Sequence, residues 1–187
     1  MAVMTVTGRD IIDDLVTRMR TESEPLRYSS LAHGVYRVFL HRDDYERLAP
    51  ARPPLPAELV WDGDLRFTGR SRDASIALDS DGAAGPSPMQ ALILALGGCM
   101  GMDIVHFLRK SRVPPAAVRI RLSGHRAEGY PARFTAIDLH LDVDGGATDE
   151  QMTRAIELSR STYCSVWNSM RQDVPLNVTF TVNRPPR

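Results

Sequence analysis

The stretch Ser87-Pro88-Met89-Gln90-Ala91-Leu92-Ile93-Leu94-Ala95-Leu96-Gly97-Gly98-Cys99-Met100-Gly101-Met102 decides how the remainder of the chain must fold. Ser87 is placed to cap a helix, Pro88 suits the first helical position, and Gln90 completes a capping box. From Met89 to Met102 almost nothing is polar, so the helix is expected to be buried on all sides. It should end near Arg112, ahead of Pro114 and Pro115. Gly97, Gly98 and Gly101 each cost about 1 kcal/mol of helix propensity relative to alanine, which is tolerated where another backbone approaches closely. A domain of this size would leave such a helix partly exposed as a large apolar patch. A homodimer is therefore expected, with the Met89–Leu108 helix of each subunit at its centre. Cys99 sits among the glycines. A single cysteine in an apolar helix is by itself a small buried hydrophobe, and that reading stands beside a reactive one.

Outward from this helix the chain alternates between strand and helix patterns. Upstream, Glu58 to Trp61 and Leu65 to Thr68 flank Asp62-Gly63, a type I′ hairpin signal, and Ser75 to Leu78 is a further strand. Downstream, Val118, Ile120 and Leu122 alternate with arginines. Ile137, Leu139, Leu141 and Val143 alternate with Asp138, His140 and Asp142, which puts His140 on a solvated face. Thr148 and Gln151 repeat the capping box and open a helix with Met152, Ala155, Ile156 and Ser159 on one side. A break near Ser161 to Tyr163 precedes a short segment from Cys164 to Met170, and Leu176 to Val182 is the last strand. The class is α+β, a mainly antiparallel sheet with two main helices on one face, spanning residues 57–187.

Residues 1–56 read as an appendage. Ile11, Ile12, Leu15, Val16 and Met19 predict a short amphipathic helix, Gly34 to Leu40 a strand and His41 to Leu48 a helical turn. Ala49 to Pro56, with four prolines, is a linker. His33 and His41 are expected at the surface.

Basic and acidic residues number 23 each, against a general nucleic-acid binder. The absence of a signal peptide and of an unbroken span of about 20 apolar residues points to a cytoplasmic protein without a membrane segment, since Asp103 and His106 interrupt the central run. A permanent disulfide is not expected in that compartment. Cys99 and Cys164 are then two inert thiols or a working pair.

Cys164 is predicted at the first turn of a helix, where free N–H groups and the macrodipole favour a thiolate. Asp103 lies one turn beyond Cys99 and His106 two turns beyond, on the same face. A protonated His106 would lower a thiol pKa and Asp103 would raise it. Spacing alone leaves open whether the two thiols meet. A metal site of Cys99, His106 and Cys164 has no CxxC or HxxxH spacing behind it, so no metal or organic cofactor is expected.

The segments GPSPMQALILALGGCMGMDIVHFL, RFTAIDLHLDV, RAIELSRSTYCSV and LNVTFTV resemble the OsmC/Ohr family of thiol peroxidases, over about residues 58–182. The GPSPM and GGC signatures resemble its OsmC-like branch. This resemblance implies an OsmC-like fold and an intertwined homodimer with the active site between subunits. It implies Cys99 as peroxidatic thiol and Cys164 as resolving thiol. Classical members carry a Glu ten residues before the first cysteine, where this chain has Met89; the OsmC-like branch often has Glu one position later, where Gln90 stands. That Glu orders an arginine against the thiolate, and Arg66 and Arg70 are the candidates here. Gln90 itself is either a catalytic-site remnant or only a cap.

Two readings follow. In the first, the chain reduces organic hydroperoxides through a Cys99 sulfenic acid and a Cys99–Cys164 disulfide, which an external dithiol reductant reopens. In the second, the same apolar cleft binds a hydrophobic small molecule without catalysis.

Overall fold

The capping box at Ser87 forms: Gln90 N–H donates to Ser87 Oγ at 3.4 Å and Ser87 N–H to Gln90 Oε1 at 2.8 Å. It opens α1, Pro88–Lys110, in the computed structural model, which describes residues 2–7, 27–32, 35–40 and 53–183. The chain divides into two compact units, Met1–Leu55 and Pro56–Arg187.

In the first unit β1 (Ala2–Thr7), β2 (Arg27–Ala32) and β3 (Val35–Leu40) form an antiparallel sheet in the order β1-β3-β2. The strand expected from Gly34 is β3; β1 and β2 were not anticipated. The expected helix around Ile11 to Met19, the helical turn from His41 to Leu48, His33, His41 and residues 49–52 of the expected linker lie outside the described residues.

In the second unit β4 (Glu58–Gly63), β5 (Arg66–Ser71) and β6 (Ala74–Asp79) form an antiparallel sheet. The hairpin is where it was predicted, but its turn is Asp64-Leu65 rather than Asp62-Gly63. Asp62 stays in the strand because its carboxylate accepts a 2.7 Å hydrogen bond from Thr68 Oγ1. Gly63, at φ +106°, makes the bulge and Asp64, at φ +47°, the turn. Trp61 Nε1 closes the turn on Asp64 O at 2.9 Å, with the ring 65% exposed. Beyond β6, the carboxylate of the buried Asp79 accepts 3.0 Å hydrogen bonds from the N–H groups of Asp81 and Ala84. Its own N–H reaches Pro86 O at 3.2 Å. This holds the loop that delivers the chain to Ser87.

The main sheet comprises β7 (Ala117–Arg126), β8 (Phe134–Asp144) and β9 (Leu176–Asn183), with β8 central, antiparallel to β7 and parallel to β9. A parallel neighbour needs a crossover connection, and the helical segment between β8 and β9 supplies it. The architecture is the α+β one expected, with the strands of this unit split into two three-stranded sheets. Ile137, Leu139, Leu141 and Val143 of β8 face inward and are at most 1% exposed. His140 lies on the other face, yet it is held rather than freely solvated: its Nδ1 lies 2.7 Å from Thr179 Oγ1.

Leu96, Met100, Ile104 and Leu108 of α1 recur at every fourth residue as one fully covered stripe against this sheet. Burying each such side chain contributes about 1.5–3 kcal/mol. Gly97 and Gly101 admit the strand: added Cβ atoms would stand 2.7 Å from Leu122 Cδ1 and 2.5 Å from Ile120 Cδ1. Sheet side chains, not a second backbone, make the close approach. Nor does the chain bury α1 on all sides, because a sheet covers only one flank of a cylinder; Leu94 remains 57% and Met102 76% exposed. Asp103 and His106 interrupt the apolar run, yet α1 is long and apolar enough to cross a membrane by length and composition alone. In this fold it is the helix around which the core assembles.

Candidate active site

The helix opened by Thr148 is α2, Asp149–Leu158, and its buried stripe of Met152 and Ala155 continues into Ser159. There the winding changes to one π turn, Ser159–Tyr163. The Cys164 N–H donates to Ser159 O at 2.8 Å, five residues back. Such wide turns occur frequently at functional sites. Cys164 then caps α3, Ser165–Asn168, its Sγ accepting from the Trp167 N–H at 3.4 Å. The predicted position at a helix start is correct, but the predicted thiolate is not. Cys164 is fully buried, and burial pushes its thiol from the ordinary 9.0 up to about 12, against the Trp167 N–H and with Cys99 and Asp103 adding to the rise. A four-residue helix has too little macrodipole to offset this.

Cys99 projects from the middle of α1, half-buried, and both cysteines are free thiols. The two sulfurs and a carboxylate oxygen of Asp103 lie within 4.8 Å of one another. The thiols therefore meet inside one subunit, which spacing had left open. Asp103 Oδ2 accepts a 2.8 Å hydrogen bond from the fully buried Ser159 hydroxyl. Phe107 and Tyr163, each near the cluster in sequence, pack edge to face with their centroids 5.1 Å apart. The Arg160 guanidinium lies 5.8 Å from the centroid of the buried Trp167 ring.

His106 stands elsewhere. It is exposed, packs on Phe107 with centroids 5.9 Å apart, and lines an open groove of about 570 Å3 with Gly98, Met102, Val105 and Arg109. Neither cysteine lines that groove. The seven-residue offset from Cys99 to His106 falls just short of two full turns, which turns the imidazole toward the Gly98 flank. Asp103, not His106, completes the cluster.

Gln90 lies at the start of α1 with its amide oxygen on the Ser87 N–H. Arg66 is on β5, 3.6 Å from Asp64, and its charge also acts on Asp79. Arg70 is exposed on the same strand, opposite Glu58 and Ser75. The groups acting on the Cys164 proton are those named above, and neither arginine is among them. Sequence reasoning missed Ser159 as the partner of Asp103. The available signal was a polar residue on each of two otherwise apolar helix faces.

A dithiol of this kind, one sulfur half-exposed and the other buried beside it, can pass between two thiols and a disulfide once the sulfurs close to about 2.05 Å. Residues 80–179 match the family described as OsmC-like protein. Protein YhfA of Escherichia coli K12 is 34% identical over 131 residues, covering 68% of this chain and 98% of that protein. A hypothetical protein from Aquifex aeolicus VF5 superposes with a TM-score of 0.67 at 24% identity, over 72% of this chain and all of its own. The structure of an organic hydroperoxide resistance protein OsmC from Legionella pneumophila is similar in fold, with a TM-score of 0.55 at 16% identity. That match covers 71% of this chain and 99% of that one.

Proposed function

The chain belongs to the family of OsmC-like proteins, and from that premise we propose that it is a cytoplasmic, homodimeric thiol peroxidase acting on organic hydroperoxides. The observation that carries this reading is the convergence of Cys99 and Cys164 within 4.8 Å. The difference in their exposure supports the division of roles. Cys99, reachable from solvent, attacks the distal peroxide oxygen as a thiolate. The O–O bond breaks, the alkoxide leaves and is protonated to the alcohol, and Cys99 becomes a sulfenic acid. Cys164, kept protonated by burial, is unreactive until then. As it loses its proton it attacks the sulfenic sulfur; the S–S bond forms and water departs. Asp103 lies beside both sulfurs and is the nearby base that can take this proton. An external dithiol restores the thiols and is itself oxidised to a disulfide.

The homodimer is supported by the uncovered apolar flank of α1, with Leu94 and Met102 more than half exposed. Arg66 and Arg70 are retained as the candidates for the arginine held against the thiolate, and Gln90 as its anchor, on the strength of the family resemblance.

The test is consumption of cumene hydroperoxide by the reduced protein with dithiothreitol. Wild type should turn over, Cys99→Ser should not, and Cys164→Ser, given peroxide without dithiothreitol, should stop as a sulfenic acid of one added oxygen. No turnover by the wild type, or turnover that survives Cys99→Ser, would overturn the proposal. The groove beside His106 and Arg109 favours the second reading, a carrier of a hydrophobic molecule; fatty-acid binding without peroxide consumption would establish it instead.

A further inference from the structure

We propose that the reduced Cys99–Asp103–Cys164 cluster is also a binding site for a single thiophilic divalent cation of the zinc class, which occupies the dithiol and excludes peroxide. Two sulfurs and one carboxylate oxygen are an accepted donor set for tetrahedral zinc. Around such an ion, Zn–S bonds of about 2.3 Å and Zn–O bonds of about 2.0–2.2 Å put the donors roughly 3.5–3.8 Å apart. The three donor atoms lie within 4.8 Å of one another, so contraction by at most about 1.3 Å is required, within reach of side-chain rotation.

Three further features fit the proposal. The Ser159 hydroxyl holds Asp103 Oδ2 at 2.8 Å, the kind of supporting bond that orients a ligating carboxylate. It leaves Asp103 Oδ1 free of that bond. Cys99 is half-exposed whereas Cys164 is buried, so the ion has an entry side and a fourth position on which water can remain. The donors come from α1 and from the first residue after the π turn, two elements that Asp103 and Ser159 already fix to each other.

Binding converts both thiols to thiolates and releases their protons to solvent. Affinity should therefore rise steeply with pH. Oxidation to the disulfide removes two of the three donors. The cation and the disulfide are thus mutually exclusive states of one site. Binding itself needs no peroxidase activity; only the inhibition rests on that reading.

The experiment uses the full chain, reduced and freed of reductant, titrated with Cd2+ and then competed with Zn2+. One Cd2+ per subunit with a sulfur-to-cadmium charge-transfer band is expected. Affinity should fall at least tenfold in Asp103→Asn and further in Cys164→Ser, and the band should vanish in the disulfide form. Because Cys164 is buried and its replacement threatens folding, Cys99→Ser, at the half-exposed sulfur, provides the same reading. Less than one ion per subunit, absence of the band, or equal affinity in these variants overturns the proposal. Peroxide consumption is followed separately. Zinc binding to a protein that never turns over would leave the site standing and remove only its inhibitory role.

Discussion

The Ser159 hydroxyl donates a 2.8 Å hydrogen bond to the Asp103 carboxylate, and this one contact joins the middle of α1 to the turn that presents Cys164. Ser159→Ala removes the donor and leaves a part-buried carboxylate short of a partner. The expected loss is about 1–3 kcal/mol of stability, read from urea unfolding of the reduced protein. Disulfide formation after peroxide addition should slow as well, because Cys164 is no longer held in register with Cys99. Stability within about 0.5 kcal/mol of wild type, the usual range for an uncoupled surface change, would show that the contact is incidental.

Alkaline conditions should weaken the fold through Cys164. Its thiol is raised in the folded chain from 9.0 to about 12, chiefly by burial, so the folded state retains a proton that the unfolded state loses. The contribution is complete below the unfolded value and disappears as pH climbs from there towards the folded one. Midpoints of chemical unfolding should drop between pH 9 and 11 in the reduced wild type and drop less in Cys164→Ala. Parallel pH profiles for the two proteins would contradict this.

Acid should act through Asp79. The Ala84 N–H first, then the Asp81 N–H and more weakly the Arg66 charge, hold its carboxyl below the usual carboxylate range despite the opposing effect of burial. A depressed carboxyl stabilises the fold above its unfolded pKa and ceases to do so as pH falls through its folded one. Asp79→Asn should lower the Tm at pH 7, and the gap to wild type should narrow towards pH 3. A gap that stays constant across this range would assign the effect to shape rather than charge.

Met102 and Leu94 supply the test of assembly. Both are exposed in one subunit, and a charge at either position cannot be desolvated at an apolar interface without a cost of several kcal/mol. Met102→Glu should convert a dimer to a monomer in sedimentation equilibrium at micromolar concentration, with the secondary structure intact. A wild type that is already monomeric there would refute the dimer.

Local rules made the outline legible. The serine and threonine caps, the alternation in β7 and β8 and the hairpin all rest on neighbours within a few residues, and each was readable from them. A break near Ser161 to Tyr163 was readable too, but not that it takes the form of a π turn, which depends on how the buried stripe of α2 meets the position of Cys164. The parallel pairing of β9 with β8 depends on where a crossover returns, which no window of sequence contains. The thiols show the same boundary. Their identities were readable and their roles follow from resemblance, but the protonation of Cys164 depends on burial that only the assembled core creates. Helix-start chemistry pointed the other way and lost.

The contrasting placement of the chain's two tryptophans, Trp61 and Trp167, equips the protein with its own optical probe. Trp61 is 65% exposed at the hairpin and Trp167 is 3% exposed, with its backbone N–H on the Cys164 sulfur. Their emission should separate into a long-wavelength component that iodide quenches and a short-wavelength component that it does not. Closing or opening the dithiol alters the surroundings of Trp167 alone, so the redox state of the site can be followed as light from the blue component, without any label.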